Sequence, residues 1–246
     1  MGLNCHGERL PVEDIRALGF SWVRLDLPGN QYTLERLRSL VAYYRDFGQL
    51  WILPQTAPDP QETARVMADA GITEIEVFNE PDLNRISAPT YASVFKAIQA
   101  AVVGKVRLYG PSLCTWSSRR SYLDACLDRG VKPDVLTFHG YHQQTPQRLA
   151  QWVGEAKSYG LPVVVSELGY PYYLGDMAYR ARMRDTLGDL FVKTRNALKG
   201  TPWCWYDGPN PSIRENSGIF QFDPKRGYSA NGNFREIRDA LARGGR

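Results

Sequence analysis

The sequence predicts a single (β/α)8 barrel, and three observations lead to that prediction. Short apolar runs alternate with helix-period segments eight times along the chain. Runs such as Leu50-Trp51-Ile52-Leu53 are apolar at consecutive positions, as parallel strands covered on both faces are. Glycines stand at the ends of most helical segments, where a left-handed residue lets the chain turn into the next strand. Eight such units imply a closed barrel.

The elements follow one another in strict alternation. Strands are expected near residues 2–5, 20–27, 50–54, 73–79, 105–110, 134–139, 162–167 and 202–206. Helices are expected over residues 33–47, 59–70, 89–103, 121–129, 145–159, 177–198 and 233–243, with a shorter one over 11–18. The helix-end glycines are Gly19, Gly48, Gly71, Gly104, Gly130, Gly160 and Gly200. We expect residues 1–246 to form one domain.

An open, doubly wound sheet is the competing fold. Such sheets usually place a glycine-rich phosphate turn after their first strand, and Cys5-His6-Gly7-Glu8 is not one. No linker or low-complexity tract interrupts the chain, and the longest irregular segment is expected between residues 206 and 232. Long loops of this kind usually line a site.

Composition limits the classes of partner. Hydrophobic residues make up 43% of the 246 residues, enough for a substantial core. Lysine and arginine exceed aspartate and glutamate only by 30 − 26 = 4, and the arginines are scattered over helices, so we expect no nucleic-acid partner. No apolar stretch is long enough for a membrane span. The first residues show no export signal, which leaves the cytoplasm or secretion with a removed leader open.

The four cysteines are Cys5, Cys114, Cys126 and Cys204. None forms a C-x-x-C pair, so zinc ribbons and thioredoxin chemistry are not indicated. We expect buried free thiols. A disulfide between Cys5 and Cys204 stays open, because closure of the barrel would bring their strands together.

Two glutamates end strand-like runs. Glu80 closes Ile75-Glu76-Val77-Phe78-Asn79-Glu80, and Glu167 closes Val163-Val164-Val165-Ser166-Glu167. Alone, either one is explained equally well as a helix cap or as the partner of an arginine. In a barrel, however, the carboxyl ends of all strands converge on one face, where two carboxylates can divide acid and base work. The residues expected around this bowl are Arg24, Asp26, Asn79, Glu80, His139, Tyr141, Glu167 and Trp205.

These motifs resemble those of the retaining (β/α)8 glycoside hydrolases of clan A, such as families 5 and 39. The matching residues are Arg24 on strand two, Asn79-Glu80-Pro81 on strand four, His139-Gly140-Tyr141 on strand six, Glu167 on strand seven and Trp205 on strand eight. The resemblance spans nearly the whole chain in the correct strand order, through a tail over residues 217–225 that is typical of the last loop.

The resemblance implies a double displacement with Glu80 as general acid/base and Glu167 as nucleophile. Retention requires carboxyl groups about 5–5.5 Å apart, whereas inversion needs about 6.5–9.5 Å, and we expect the shorter spacing. Arg24 and Tyr141 are expected to stabilise the ionised Glu167. The alternative for Arg24 is a floor ion pair with Asp26. Asn79 is expected to bind the sugar 2-hydroxyl.

Several other residues are expected to contact sugar. Trp205 offers a stacking face, although Trp203 lies on the same side of the strand and one of the two is then core. Trp116 and the loop tyrosines Tyr170, Tyr172 and Tyr173 are candidate subsites, with loop packing as the alternative. His139 is expected to orient a carboxylate or to contact sugar.

The sequence also departs from the family 5 pattern. Where many members have a histidine near the end of strand three, this chain has Leu53-Pro54-Gln55-Thr56, so Gln55 is the expected substitute. Short loops predict an open groove, which favours endo-action on a β-linked oligo- or polysaccharide.

Two other functions stay open. The first is a metal-dependent barrel enzyme, because His6, His139 and His142 fall near strand ends beside carboxylates. It is disfavoured by the lack of a His-x-His pair on the first strand, and we expect no metal or cofactor. The second is a non-catalytic carbohydrate-binding barrel, which would need neither glutamate.

Overall fold

The chain folds into the predicted closed barrel. The computed structural model describes residues 1–5, 7, 9–28, 31–141, 145–169, 187–206, 220–223, 227–230 and 232–244. Eight parallel strands, β1 to β8, are hydrogen-bonded in sequence order, and β8 pairs with β1 to close the ring. The (β/α)8 prediction is therefore confirmed.

The barrel strands are β1 (Gly2–Cys5), β2 (Trp22–Leu25), β3 (Gly48–Leu53), β4 (Glu74–Val77), β5 (Arg107–Leu113), β6 (Val135–His139), β7 (Val163–Leu168) and β8 (Trp203–Tyr206). The helices in the described residues are α1 (Val12–Ala17), α2 (Leu34–Tyr43), α3 (Pro60–Asp69), α4 (Ala88–Ala101), α5 (Trp116–Leu127), α6 (Pro146–Lys157), α7 (Leu187–Ala197) and α8 (Gly232–Gly244). A hairpin, β9 (Phe220–Asp223) and β10 (Gly227–Ala230), follows β8.

Side-chain caps fix where four of the helices begin. Thr33, Asp59, Ser87 and Thr145 each accept a hydrogen bond from a backbone N–H in the first turn of the helix that follows. Three of these helices also have a proline at the first or second position, where its missing N–H costs nothing. These local signals therefore determine where each of the four loops ends and its outer helix begins.

Three element predictions need correction. Strand β5 continues through the Gly110–Pro111 bond to Leu113, because pairing with β6 resumes after a register shift between Tyr109 and Ser112. Helix α5 begins at Trp116 rather than near Ser121, since its first residue packs inward. The segment expected to be irregular after β8 contains the antiparallel hairpin. The first half of the helix expected over 177–198 lies outside the described residues.

The core has two parts. The larger lies between the strands and the helices and includes Leu3, Phe138 and Phe191. The smaller fills the bottom of the barrel with Leu50, Tyr109, Val135 and Val164, against which Trp22 packs. Above this apolar floor the interior becomes polar and charged, and the candidate site lies there.

All four cysteines are buried free thiols. The register of β1 and β8 places Gly2, not Cys5, opposite Cys204, so the possible disulfide between Cys5 and Cys204 is not formed. Among the helices in the described part of the chain, none combines the length and apolar character that a bilayer span requires.

Candidate active site

Arg24 stands at the centre of a polar cluster inside the barrel. Its side chain is completely buried, on β2. Nη1 donates to Glu167 Oε1 at 2.5 Å, Nη2 donates to Asn79 Oδ1 at 2.8 Å, and Nε donates to Glu76 Oε2. The ion pairs of Arg24 are thus with Glu76 and Glu167; the sequence suggested Asp26 as an alternative partner. The Arg24 guanidinium thus links β2 to β4, to β7 and to the loop after β4.

Glu167 is held in its ionised form. Tyr141 donates its hydroxyl to Oε2 at 2.7 Å, while Arg24 binds Oε1. Burial favours the neutral carboxyl, but His139 and Arg24 supply positive charge and Tyr141 supplies a hydrogen bond, and together they lower the pKa of Glu167 to about 2. The side chain is 8% exposed. A buried carboxylate that remains charged is suited to act as a nucleophile.

His139 joins the two glutamates. Its Nδ1 lies 2.7 Å from Glu80 Oε1 and 3.5 Å from Glu167 Oε2, and its Nε2 lies 3.0 Å from Ser112 Oγ. Because Nδ1 faces two carboxylate oxygens, a proton is favoured on this ring nitrogen. Burial opposes protonation of this imidazole, yet the charge of Glu167 and the bond to Glu80 raise the pKa of His139 above its ordinary value. Ser112 lies 3.4 Å from Ser166 and continues the network into the barrel.

Glu80 follows β4 on a strained backbone. Phe78 and Glu80 have φ angles of 65° and 47°, which non-glycine residues rarely adopt. Asn84 donates its side-chain amide to Asn79 O at 2.9 Å, and Asp82 accepts from Cys114 N at 3.1 Å. These contacts hold the turn in this conformation.

The two candidate catalytic carboxylates are close together. One oxygen of Glu80 and one of Glu167 lie within 4.8 Å of each other and of a His139 ring nitrogen. Three such ligand atoms can in principle hold a divalent ion. Both oxygens of Glu167 are, however, already hydrogen-bonded to Arg24 and Tyr141, a donor set that suits a free carboxylate better than a metal ligand. His6 and His142, the other histidines of the metal hypothesis, lie outside the described residues.

Asn79 and Gln55 form one edge of the site. Asn79 Oδ1 accepts from Arg24, and no acceptor for its amide NH2 group is found among the described residues, so this group can donate to a ligand oxygen. The Asn79 backbone N–H donates to Gln55 Oε1 at 3.4 Å. Gln55 therefore lies next to Asn79, on the side of the site where the sequence placed it.

Trp205 requires a correction. It is completely buried in the layer between barrel and helices, with its ring 5.1 Å from that of Phe191 on α7. Leu3, its partner on β1, also belongs to this outer layer. The interior position on β8 is taken by Cys204, which lies within the electrostatic influence of Arg24 and Glu167. Strand alternation therefore turns Trp205 away from the cluster, where it is core and not a sugar platform.

Trp116 is also a core residue. It is 1% exposed, its ring lies 5.3 Å from Phe138, and its indole N–H donates to Glu155 Oε2 at 2.9 Å. Its place at the start of α5 directs the ring under the helix rather than into the bowl. The prediction that Trp116 binds substrate is wrong for this reason. Tyr170, Tyr172 and Tyr173 lie outside the described residues.

Sequence reasoning missed Glu76 and Ser112. Glu76 is an acidic residue between Ile75 and Val77 in a buried strand, and this isolated charge was a signal that an interior partner exists. Ser112 follows Gly110-Pro111, a pair that suggests the end of a strand. The continuation of β5 past the proline is what brings Ser112 to His139.

Solved structures with the same architecture are known. A glycoside hydrolase family 128 (subgroup I) endo-β-1,3-glucanase from Amycolatopsis mediterranei, in complex with laminaritriose, superposes with a TM-score of 0.69 at 16% identity, covering 97% of this chain and 98% of that one. A subgroup II endo-β-1,3-glucanase from Pseudomonas viridiflava gives 0.68 at 17% identity, with 96% of each chain covered. The family 53 catalytic domain of Ignisphaera aggregans gives 0.68 at 14% identity, covering 96% and 94%. At these identities the likeness shows the fold.

Sequence comparison gives the family. No curated protein matches the chain significantly. Residues 49–186, which run from β3 to just before α7 and include Glu80, His139 and Glu167, match the glycosyl hydrolase catalytic core. The match covers more than half of the chain and agrees with the resemblance to clan A. The chain therefore belongs to the glycosyl hydrolase catalytic core family.

Proposed function

We propose that the protein is a retaining glycosidase that cleaves β-linked glucans, with Glu80 as general acid/base and Glu167 as nucleophile. The observation that supports this most directly is the distance of at most 4.8 Å between an oxygen of each carboxylate, with Glu167 kept ionised. Carboxyl groups about 5–5.5 Å apart suit direct attack on the anomeric carbon, whereas a water molecule needs the wider separation of inverting enzymes.

The two steps follow from these contacts. In the first, Glu80 gives its proton to the glycosidic oxygen, and the Glu167 carboxylate attacks the anomeric carbon to form a glycosyl ester as the carbon–oxygen bond breaks. In the second, Glu80 takes a proton from water, which attacks the same carbon and releases Glu167. The amide NH2 of Asn79 is a donor for the sugar 2-hydroxyl, a hydrogen bond that strengthens in the transition state.

β-1,3-Glucan is the first substrate to test. Two of the structural neighbours are endo-β-1,3-glucanases, and one of them is in complex with laminaritriose. We expect internal cleavage, so laminari-oligosaccharides of intermediate length should precede glucose among the early products. Proton NMR of the first product should show the β anomer; an α anomer would contradict the double displacement.

Variants separate catalysis from binding. Glu167→Gln should abolish turnover and leave oligosaccharide affinity nearly intact, and added azide should not restore the β product. Glu80→Ala should reduce hydrolysis of natural glucans by about 10²–10⁴-fold, and azide should partly restore turnover of aryl glycosides. Glu74→Gln, at the start of the strand that precedes Glu80 and paired with Arg107, is the control and should retain activity.

The alternatives give different results in the same assays. A non-catalytic sugar-binding barrel would bind laminari-oligosaccharides without hydrolysing them. A metal-dependent enzyme would lose its activity to a chelator, whereas we expect hydrolysis to persist after treatment with EDTA.

A further inference from the structure

Glu76 is a buried acidic residue that forms an ion pair with Arg24. Its side chain is completely shielded from solvent in the interior of the barrel, on β4. Oε2 accepts from Arg24 Nε, whereas Oε1 is buried and makes no hydrogen bond within the described residues. An isolated buried carboxylate is costly, so its contact with Arg24 is what makes this position tolerable.

Glu76 also determines how Arg24 is oriented. A guanidinium is planar, so fixing Nε on one side leaves the two Nη groups pointing in defined directions. In this structure they reach Glu167 at 2.5 Å and Asn79 at 2.8 Å. Asn4 Oδ1, 3.4 Å from Nη1, is a weaker additional acceptor. The nucleophile and the candidate sugar-binding amide are therefore both aligned from the Glu76 side.

Two buried carboxylates, Glu76 and Glu167, share the single guanidinium of Arg24. With Arg24 they leave one surplus negative charge, which favours positive charge on the neighbouring His139 imidazole. Without the charge of Glu76, Arg24 would be balanced by Glu167 alone, and the protonated form of His139 would be less favourable.

On the basis of the proposed function, we propose that Glu76 is a positioning residue for glycoside hydrolysis, which aligns Arg24 between Glu167 and Asn79 and supplies negative charge that favours the protonated form of His139. It touches no substrate and acts through Arg24. The charged and titratable groups around it and around His139 are Arg24 on β2, Glu80 after β4, Tyr91 on α4, Tyr109 on β5, Tyr141 after β6, Glu167 on β7 and Cys204 on β8.

The test removes the charge and preserves the shape. Glu76→Gln keeps an oxygen that accepts from Arg24 Nε. The imidazole signals of the three histidines are followed by NMR titration, and the His139 signal is identified by its loss in His139→Asn. We expect Glu76→Gln to lower the pKa of His139 by roughly half a unit or more. The alkaline limb of the pH–activity profile should move to lower pH, and kcat should fall by about tenfold to a hundredfold.

The control is Glu74→Gln, two residues earlier on the same strand. Glu74 pairs with Arg107 at 3.2 Å, but both side chains are partly exposed at the bottom of the barrel. It should leave the His139 titration and the pH profile unchanged. An unchanged His139 titration in folded Glu76→Gln would overturn the proposal.

A second variant covers a folding failure. Glu76→Asp keeps the charge and shortens the side chain by one methylene, so kcat should fall while the pKa of His139 stays near that of the wild type. If Glu76→Gln does not fold, unchanged kcat in Glu76→Asp overturns the proposal. The titration needs no substrate, so a wild type that cleaves no glycan would refute the proposed function while the His139 measurement still decides the electrostatic role of Glu76.

Discussion

At the scale of single residues, the hydroxyl of Tyr141 offers a direct test of what keeps Glu167 charged. Tyr141→Phe removes one of the hydrogen bonds that hold the pKa of Glu167 at about 2. We expect this pKa to rise by about one unit, visible in the carboxyl ¹³C titration of glutamate-labelled protein. The acid limb of kcat/KM should move to higher pH with it.

The same change has a consequence for stability. Because the folded pKa of Glu167 lies below the ordinary value of 4.5, its ionisation stabilises the fold above about pH 4.5, and this contribution is lost as pH falls towards 2. Tyr141→Phe brings the folded pKa of Glu167 closer to the ordinary value. Near neutral pH it should therefore lower the free energy of unfolding by about 1.4 kcal/mol for each unit by which this pKa rises. Tyr159→Phe removes a tyrosine–carboxylate bond of 2.6 Å to Asp124 at the surface and is the control. If Glu167 titrates at the same pH in Tyr141→Phe as in Tyr159→Phe, the hydrogen bond from Tyr141 does not lower the pKa of Glu167.

The site residues that the sequence predicts are those at the ends of strands. Glu80, His139 and Glu167 stand where parallel strands finish, and the barrel rule brings such positions together whatever their separation in sequence. The same rule does not say whether a strand side chain points into the barrel or towards the helices. For Trp205 that choice depends on where β8 begins, and the sequence does not define this start to the residue. Glu76 was missed because its role depends on Arg24, a partner 52 residues away.

At the scale of elements, the packing of α7 against α8 depends on Gly188. A Cβ at this position would lie 2.7 Å from Ala240 Cβ and 2.7 Å from Glu236 O. Both neighbours lie on α8, and one is backbone, so neither can move without shifting the helix. Gly188→Ala should lower the free energy of unfolding by about 1–3 kcal/mol, measured by urea denaturation.

A matched glycine supplies the control. Gly154 lies within α6, and a Cβ there would meet nothing within 4 Å. Gly154→Ala should raise the free energy of unfolding by about 0.5–1 kcal/mol, because alanine loses less conformational freedom in a helix. If both substitutions shift stability in the same direction, close helix contact does not explain Gly188.

Element boundaries show where sequence patterns lose their power. Helices with a cap and an early proline begin where the sequence predicts, because that signal is local. Strand β5 ran past its predicted end because Gly110-Pro111 resembles a terminator, while pairing with β6 continues after the bulge. The start of α5 was missed for a related reason: burial of Trp116 against Phe138 is a tertiary contact that no local pattern encodes.

At the scale of the whole molecule, closure of the barrel predicts cooperative protection of the thiols. Cys5 and Cys204 lie on β1 and β8, the two strands whose pairing closes the ring, and Cys114 and Cys126 lie on the opposite side. Burial raises the pKa of both Cys114 and Cys126 to about 12, so these two thiols carry almost no reactive thiolate at about pH 8. Burial also raises the pKa of Cys204.

We therefore expect none of the four thiols to react with an aromatic disulfide reagent in the native protein, and all four to react in concentrated guanidinium. A closed ring has no edge strand that can detach alone, so in increasing urea the four labelling rates should rise together and follow the loss of far-UV circular dichroism. Peptide mass mapping assigns each rate to its cysteine. Earlier labelling of Cys114 and Cys126 would show that the part of the barrel around them opens independently. A denatured protein with only two reactive thiols would indicate a disulfide. Either result would contradict a single cooperative barrel with four free cysteines.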